Sequence, residues 1–195
     1  SCLVSSGGTG GGWVVSDIFP KDWHGNPISI RLRAARLFLE EHEQACGPDK
    51  VDFFRAIITA DAALLALVSI KDLVKMESMK DELHASKLFS FLQIMRNVTA
   101  HHEVWTSQLP YVWSNSLEGD KPLESVKFFI HPFNVDIKLV EMLGNLKPND
   151  KKRRGIDLAR EFMSPYVNNE LSPFDLKDVL RDGIKLVSEI TKISI

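Results

Sequence analysis

Arg96, Asn97, His101 and His102 fall within ten residues, "RNVTAHHEVW". These side-chain types suit proton transfer beside an anionic centre. An imidazole titrates near pH 6.5, so it can take or give a proton near neutrality. A guanidinium stays charged and can grip two oxygens of an anion at once. A carboxamide such as that of Asn97 can orient the His101 imidazole or a phosphate by hydrogen bonding. Three readings compete for polar groups at the end of an apolar run: packing, metal binding and catalysis.

The preceding run, "KLFSFLQIM", predicts the helix that must carry them. That helix is expected from near Ser78 toward His102. At about 100° per residue it gathers Leu88, Phe91, Leu92, Met95, Val98 and Thr99 on one side. His102 falls on that apolar side, which favours a packed imidazole satisfied by local partners. Asn97 and His101, four apart, share the opposite side. Arg96 lies on a flank, about 140° from His101 on an ideal helix. Spacing alone says little, because Arg36 and His42 fit the same window on what reads as an acidic helix surface. For a metal, His101 and His102 point about 100° apart, a poor pair, and no HExxH is present. His84 and His131 lie far off in sequence. No metal or cofactor site is expected.

The rest of the chain reads as helices with breaks. Ser29 is the expected cap of a first helix, "IRLRAARLFLEEHEQAC", with Gly47 as its stop. Pro48 suits the start of the next. "DKVDFFRAIITADAALLALVSIKDLVKM" has no Gly or Pro and is apolar over much of its circumference, as a central bundle helix would be. "TSQLPYVWSNSLEGDKPLE" breaks the pattern, and "SVKFFIHPF" is a short strand or an extended link. Further helices are expected at Val135 to Leu146, Lys151 to Met163 and Pro173 to Ile193, the last opened by Ser172-Pro173. The Gly-rich start, "SSGGTGGG", lacks the Lys-Ser/Thr pair of a phosphate loop and reads as a linker or surface loop. The expected class is all-α. A loop or segment occupies residues 1–28 and a helical bundle residues 29–106. A loop and C-terminal helical extension, residues 107–195, pack on the same domain.

Composition sets bounds. The 195 residues suit one domain with a sizeable core. A net charge of -2 gives no global basic field, so binding to nucleic acid would need a local patch. The run Lys151, Lys152, Arg153, Arg154 is the best candidate for contacting phosphates, although a solvated helix start explains it as well. Two distant cysteines, Cys2 and Cys46, rule against a disulfide framework and fit a reducing cytoplasm. No apolar run is expected to span a bilayer, and no signal-peptide pattern is visible.

The string "RNVTAHH" resembles the signature of the HEPN superfamily, an Arg followed after four to six residues by a His. In that family the residue after the Arg is typically polar, often Asn. Members of the abortive-infection type are similar over more positions, at Arg96, Asn97, Ala100, His101, His102 and Trp105. Glu103 and Val104 stand where a basic residue usually precedes the Trp. The resemblance covers about residues 29–106 and implies a HEPN-like helical bundle that pairs as a homodimer with two motifs facing each other. Many members are metal-independent endoribonucleases, some in toxin or phage-defence settings with an antitoxin or regulatory partner.

That activity makes sense of the residue types. Cleavage through attack by the 2′-OH needs a base, an acid for the leaving oxygen, and a cation for the charge on phosphorus. His101 is the expected base, Arg96 the cation and Asn97 an orienting group, with His102 beside them. One motif is short of an acid, and a second copy across a two-fold axis would supply it. Single-stranded RNA is the expected substrate. The rival reading is a catalytically inactive helical dimerisation module, or one that binds a ligand or RNA. The slightly acidic net charge leans toward it.

Overall fold

The structure, a computed structural model, describes residues 26–47, 52–101, 129–130, 139, 150–167 and 174–194. It is mostly helical, an all-α class. Helix α1 spans Pro27–Ala45. Its cap is Asn26, whose side chain accepts from the Ile28 amide at 3.1 Å. The expected cap was Ser29, three residues later. Pro27 explains the earlier start, because its fixed φ and missing N–H suit the first helical position. Leu32, Ala35, Leu39, His42 and Ala45 form the buried stripe.

Helix α2, Phe53–Val68, begins at Asp52, which accepts from the Arg55 amide at 3.0 Å. Pro48 lies outside the described residues. Buried Ala56, Ala60 and Ala63 give α2 a small-residue face toward α1. The expected single long helix breaks at Ser69, whose hydroxyl bonds back to the Ala66 carbonyl at 2.8 Å. A further turn, α3, runs Ile70–Leu73 and ends at extended Val74. The stretch Phe53–Leu73, 21 residues, is long and apolar enough to cross a membrane, contrary to the reading of the sequence, but half of its most apolar window is buried within the bundle. The sequence reading looked for an unbroken apolar run, and Arg55 and Asp61 interrupt this one without making it polar overall.

The expected helix from Ser78 to His102 is two helices. Helix α4 is Glu77–Ala85 and α5 is Lys87–His101. Ser86 separates them with ψ 123°, and its hydroxyl accepts from the Phe89 amide at 3.2 Å, a cap in mid-sequence. Helix α6 is Lys151–Val167, entered through Asp150, which accepts from the Lys152 amide at 2.9 Å. It packs on α5 through Phe91 and Phe162, ring centres 5.0 Å apart, and through a Lys87–Glu161 ion pair at 3.0 Å. It runs four residues past the expected end at Met163 and carries Pro165 in its last turn. Helix α7 is Leu176–Thr191. The expected opening at Ser172-Pro173 moves to Asp175, because Phe174–Asp175 (β2) pairs antiparallel with Phe129–Ile130 (β1). Of the two readings of "SVKFFIHPF", short strand or extended link, the ladder gives a two-residue strand at Phe129–Ile130. Of the helix expected at Val135 to Leu146, only Leu139 is described, helical and buried.

Helices α1, α2, α5 and α7 share one core with α6 against α5. Helix α7 is central to it. A Cβ placed on Gly183 would meet the Leu92 side chain at 2.5 Å and the Leu67 side chain at 2.8 Å. Both leucines are fully buried, so neither can swing into solvent.

Two glycine substitutions should therefore act with opposite sign. Gly183→Ala gains about 1 kcal/mol of helix propensity, but overpacking costs about 1–3 kcal/mol. A net loss of about 1 kcal/mol is expected in urea denaturation. A Cβ placed on Gly155 in α6 would meet nothing within 4 Å, so Gly155→Ala is expected to raise stability by up to about 1 kcal/mol.

Candidate functional site

The buried side of α5 is wider than a single stripe. Phe89, Ser90, Phe91, Leu92, Ile94 and Met95 are all buried, which fixes the rotation of the helix. Rotation in turn fixes where the polar residues of its last turns emerge. Leu88, Phe91, Leu92 and Met95 face the core as the periodicity required, Leu88 only partly. The side chains of Val98, Thr99, Ala100 and His101 lie outside the described residues, and so does all of His102.

Arg96 is half-buried and Asn97 exposed. The Arg96 Nη1 donates to Asn97 Oδ1 at 3.2 Å. Adjacent residues on a helix point about 100° apart, so this bond needs the long Arg side chain to bend around the helix toward its neighbour. Asn97 therefore contacts the cation. Its expected role toward His101 involves a side chain outside the described residues. His101 closes α5, so its backbone position is that of a helix C-terminus.

Gln93, one turn before Asn97, was missed by the sequence reading. Its Nε2 is buried and finds no hydrogen-bond partner among the described residues. The signal was available, since Gln93, Asn97 and His101 are spaced by four and line one face. An unpaired buried donor carries a desolvation cost of about 1–3 kcal/mol.

The basic run opens α6. Lys152 and Arg154 are exposed and Arg153 is half-buried, while the side chain of Lys151 lies outside the described residues. Cations in the first turn run against the helix dipole, and the Asp150 cap offsets this locally. The structure places this run at the start of the helix that packs against α5.

His42 corrects an expectation. It read as a surface residue of an acidic helix, yet it is 1% exposed. Its Nδ1 lies 2.8 Å from the Ala56 carbonyl oxygen. A carbonyl only accepts, so Nδ1 carries the proton and joins α1 to α2. The other nitrogen, Nε2, then accepts from the Cys46 thiol one turn on, at 3.8 Å. Burial lowers the His42 pKa, against opposing pulls from the Ala56 bond and from the Asp175 and Glu43 carboxylates, while Lys177 adds to the lowering. Burial, then Asp175, pushes the Cys46 thiol up to about 11. Both groups are neutral near pH 7, so this is a packed pair rather than an activated nucleophile. Among the described residues, no three His, Cys, Asp or Glu side chains gather to hold a metal ion.

No known protein family, curated protein or solved structure matches the chain.

Two substitutions test these assignments. Gln93→Met removes a buried amide nitrogen that lacks a partner among the described residues, at nearly constant volume. It is expected to raise stability by about 1 kcal/mol in thermal denaturation. For His42 the unfolded imidazole titrates near 6.5 and the folded one lower. Above that value both are neutral and stability is flat. Below it the unfolded chain binds the proton first, so stability falls as pH drops toward the folded value, by at most about 1.4 kcal/mol per pH unit. His42→Gln should flatten the difference in denaturation midpoint between pH 7 and pH 5.5.

Proposed function

We propose that the chain is a metal-independent endoribonuclease of the HEPN type that cuts single-stranded RNA. The observation that carries the reading is the Arg96–Asn97 pair on the last turns of α5, one turn before His101. A core-packed helix supplies the fixed platform that positioned catalysis requires. His101 takes the proton from the 2′-OH, and the oxygen attacks phosphorus. Arg96 neutralises the added charge, with Asn97 holding the guanidinium in place. Loss of the 5′ oxygen, protonated by an acid from a second copy, leaves a 2′,3′-cyclic phosphate. Lys151, Lys152, Arg153 and Arg154 offer a phosphate-contacting strip at the entry to α6. A toxin or phage-defence setting, with an antitoxin or regulatory partner in the cytoplasm, is what the resemblance implies.

The purified chain is expected to cut labelled single-stranded RNA in excess chelator and to leave cyclic phosphate ends. Arg96→Ala and His101→Ala should each lower the rate by about 10²- to 10⁴-fold with unchanged helicity. His102→Ala should keep most activity and lower stability. Absence of cutting on every RNA tried would replace this reading by the inactive binding module. Full activity in His101→Ala would remove that histidine from the mechanism.

A further inference from the structure

Helix α2 is apolar toward the core and apolar again on its outer side, with one exception. Phe54, Ile58 and Leu65 stand 76%, 49% and 48% exposed. Asp61 lies among them, half-buried. The successive spacings are four, three and four residues. All four positions therefore fall within about 60° of one another on a helix of 3.6 residues per turn. This is the seam spacing of a coiled coil, sustained over about three turns. The acid in the seam is uncompensated. One turn to either side of Asp61 stand Ile57, Ile58, Leu64 and Leu65, so its own helix offers it no cation. Arg55, the cation of α2, is engaged by Glu41 of α1. Among the described residues no hydrogen bond or ion pair reaches the Asp61 carboxylate.

We propose that this seam docks a helix of a different protein, amphipathic, with aliphatic residues at the same four-three spacing and a Lys or Arg facing Asp61. The repeat selects a helix, because knobs at this spacing fit the holes of another helix laid along them. The charge selects which helix. A polar residue at one seam position costs stability and in return fixes partner and register. A Lys or Arg lays its apolar stem along the seam while its head meets the carboxylate in a charge-assisted bond. A second copy docked through the same seam brings another acid and no cation, and like charges in a desolvated contact repel. A lipid layer offers a carboxylate no counter-ion either. The contact is small. Three apolar side chains and one charge fall short of the roughly 1,200 Å² at which standard-size interfaces begin, so the complex is transient. The inference stands apart from the ribonuclease reading, because helix binding and RNA cutting are measured separately.

The test is a titration of the full chain into two fluorescent synthetic peptides, read by anisotropy. Each peptide is an amphipathic helix of about three heptads with Leu at the seam positions. One carries Lys at the central seam position and the other carries Glu. The Lys peptide is expected to bind the wild-type chain saturably and at least about tenfold tighter than the Glu peptide. Asp61→Lys, with an unchanged helical spectrum, should reverse that order. Asp61→Asn, which removes the charge at constant size, should erase the preference and serves if the Lys variant fails to fold. Ile58→Gln should weaken the Lys peptide about tenfold through lost burial. Glu189→Lys, exposed on α7 and off the seam, should leave both affinities unchanged. Absence of binding by either peptide at about 1 mM overturns the proposal. So does a Lys peptide that binds wild type and folded Asp61→Lys alike. Self-association of the wild-type chain that is lost in Ile58→Gln would assign the seam to a second copy and overturn it as well.

Discussion

At Gly183 three helices come together with no room for a methyl group between them. Helix α7 lies there against Leu67 of α2 and Leu92 of α5. Everything the bundle presents depends on this approach. It sets how closely α5 and α2 approach α7, while the buried residues of α5 fix its rotation. The small face of α2 and the missing side chain at Gly183 act in the same sense, letting helices approach until the large residues between them interlock. The C-terminal helix is thus part of the central core, not an appendage to it. The Arg181 guanidinium adds a tie at the border, reaching Glu43 of α1 at 2.5 Å and Asp178 at 2.8 Å, although exposed pairs of this kind contribute little.

The helices were legible because burial leaves a period in the sequence. Leu88, Phe91, Leu92 and Met95 announced α5, and the Ala/Leu-rich run announced α2. The boundaries were less legible, because several residues could serve as caps and only the completed structure chooses. Asn26 wins over Ser29 by having Pro27 after it. Ser86 reads as an ordinary helix-surface serine until its hydroxyl is seen on the Phe89 amide. Asp175 caps α7 because pairing with Ile130, far back in the chain, holds Phe174 extended. His42 was half legible: its spacing puts it on the stripe of Leu32, Ala35 and Leu39, but the carbonyl that satisfies it lies on another helix and no local pattern names that partner.

The candidate site divides along the same line. That Asn97 would face solvent followed from periodicity, and it does. That Arg96 would turn to Asn97 did not follow, because side chains on neighbouring positions diverge and meet only when one is long enough to bend. Gln93 belonged to the readable pattern and was passed over because one amide among apolar neighbours looks like filler. Its buried nitrogen, without a partner among the described residues, sets it apart. Gln93 itself is half-buried, so it sits at the edge of the core with one end of its amide shut in.

The pairing of His42 with Cys46 has a consequence for chemistry in time. A thiol is reactive as its anion, and this one is buried and held protonated well above neutral pH. At 6% exposed it is largely shielded from reagents while α1 stays seated on α2. Modification at Cys46 is therefore fastest in moments when this end of the helix pair opens, and its rate follows those moments. The sulfur is a clock for the opening of the bundle, wound by the same histidine that holds it shut.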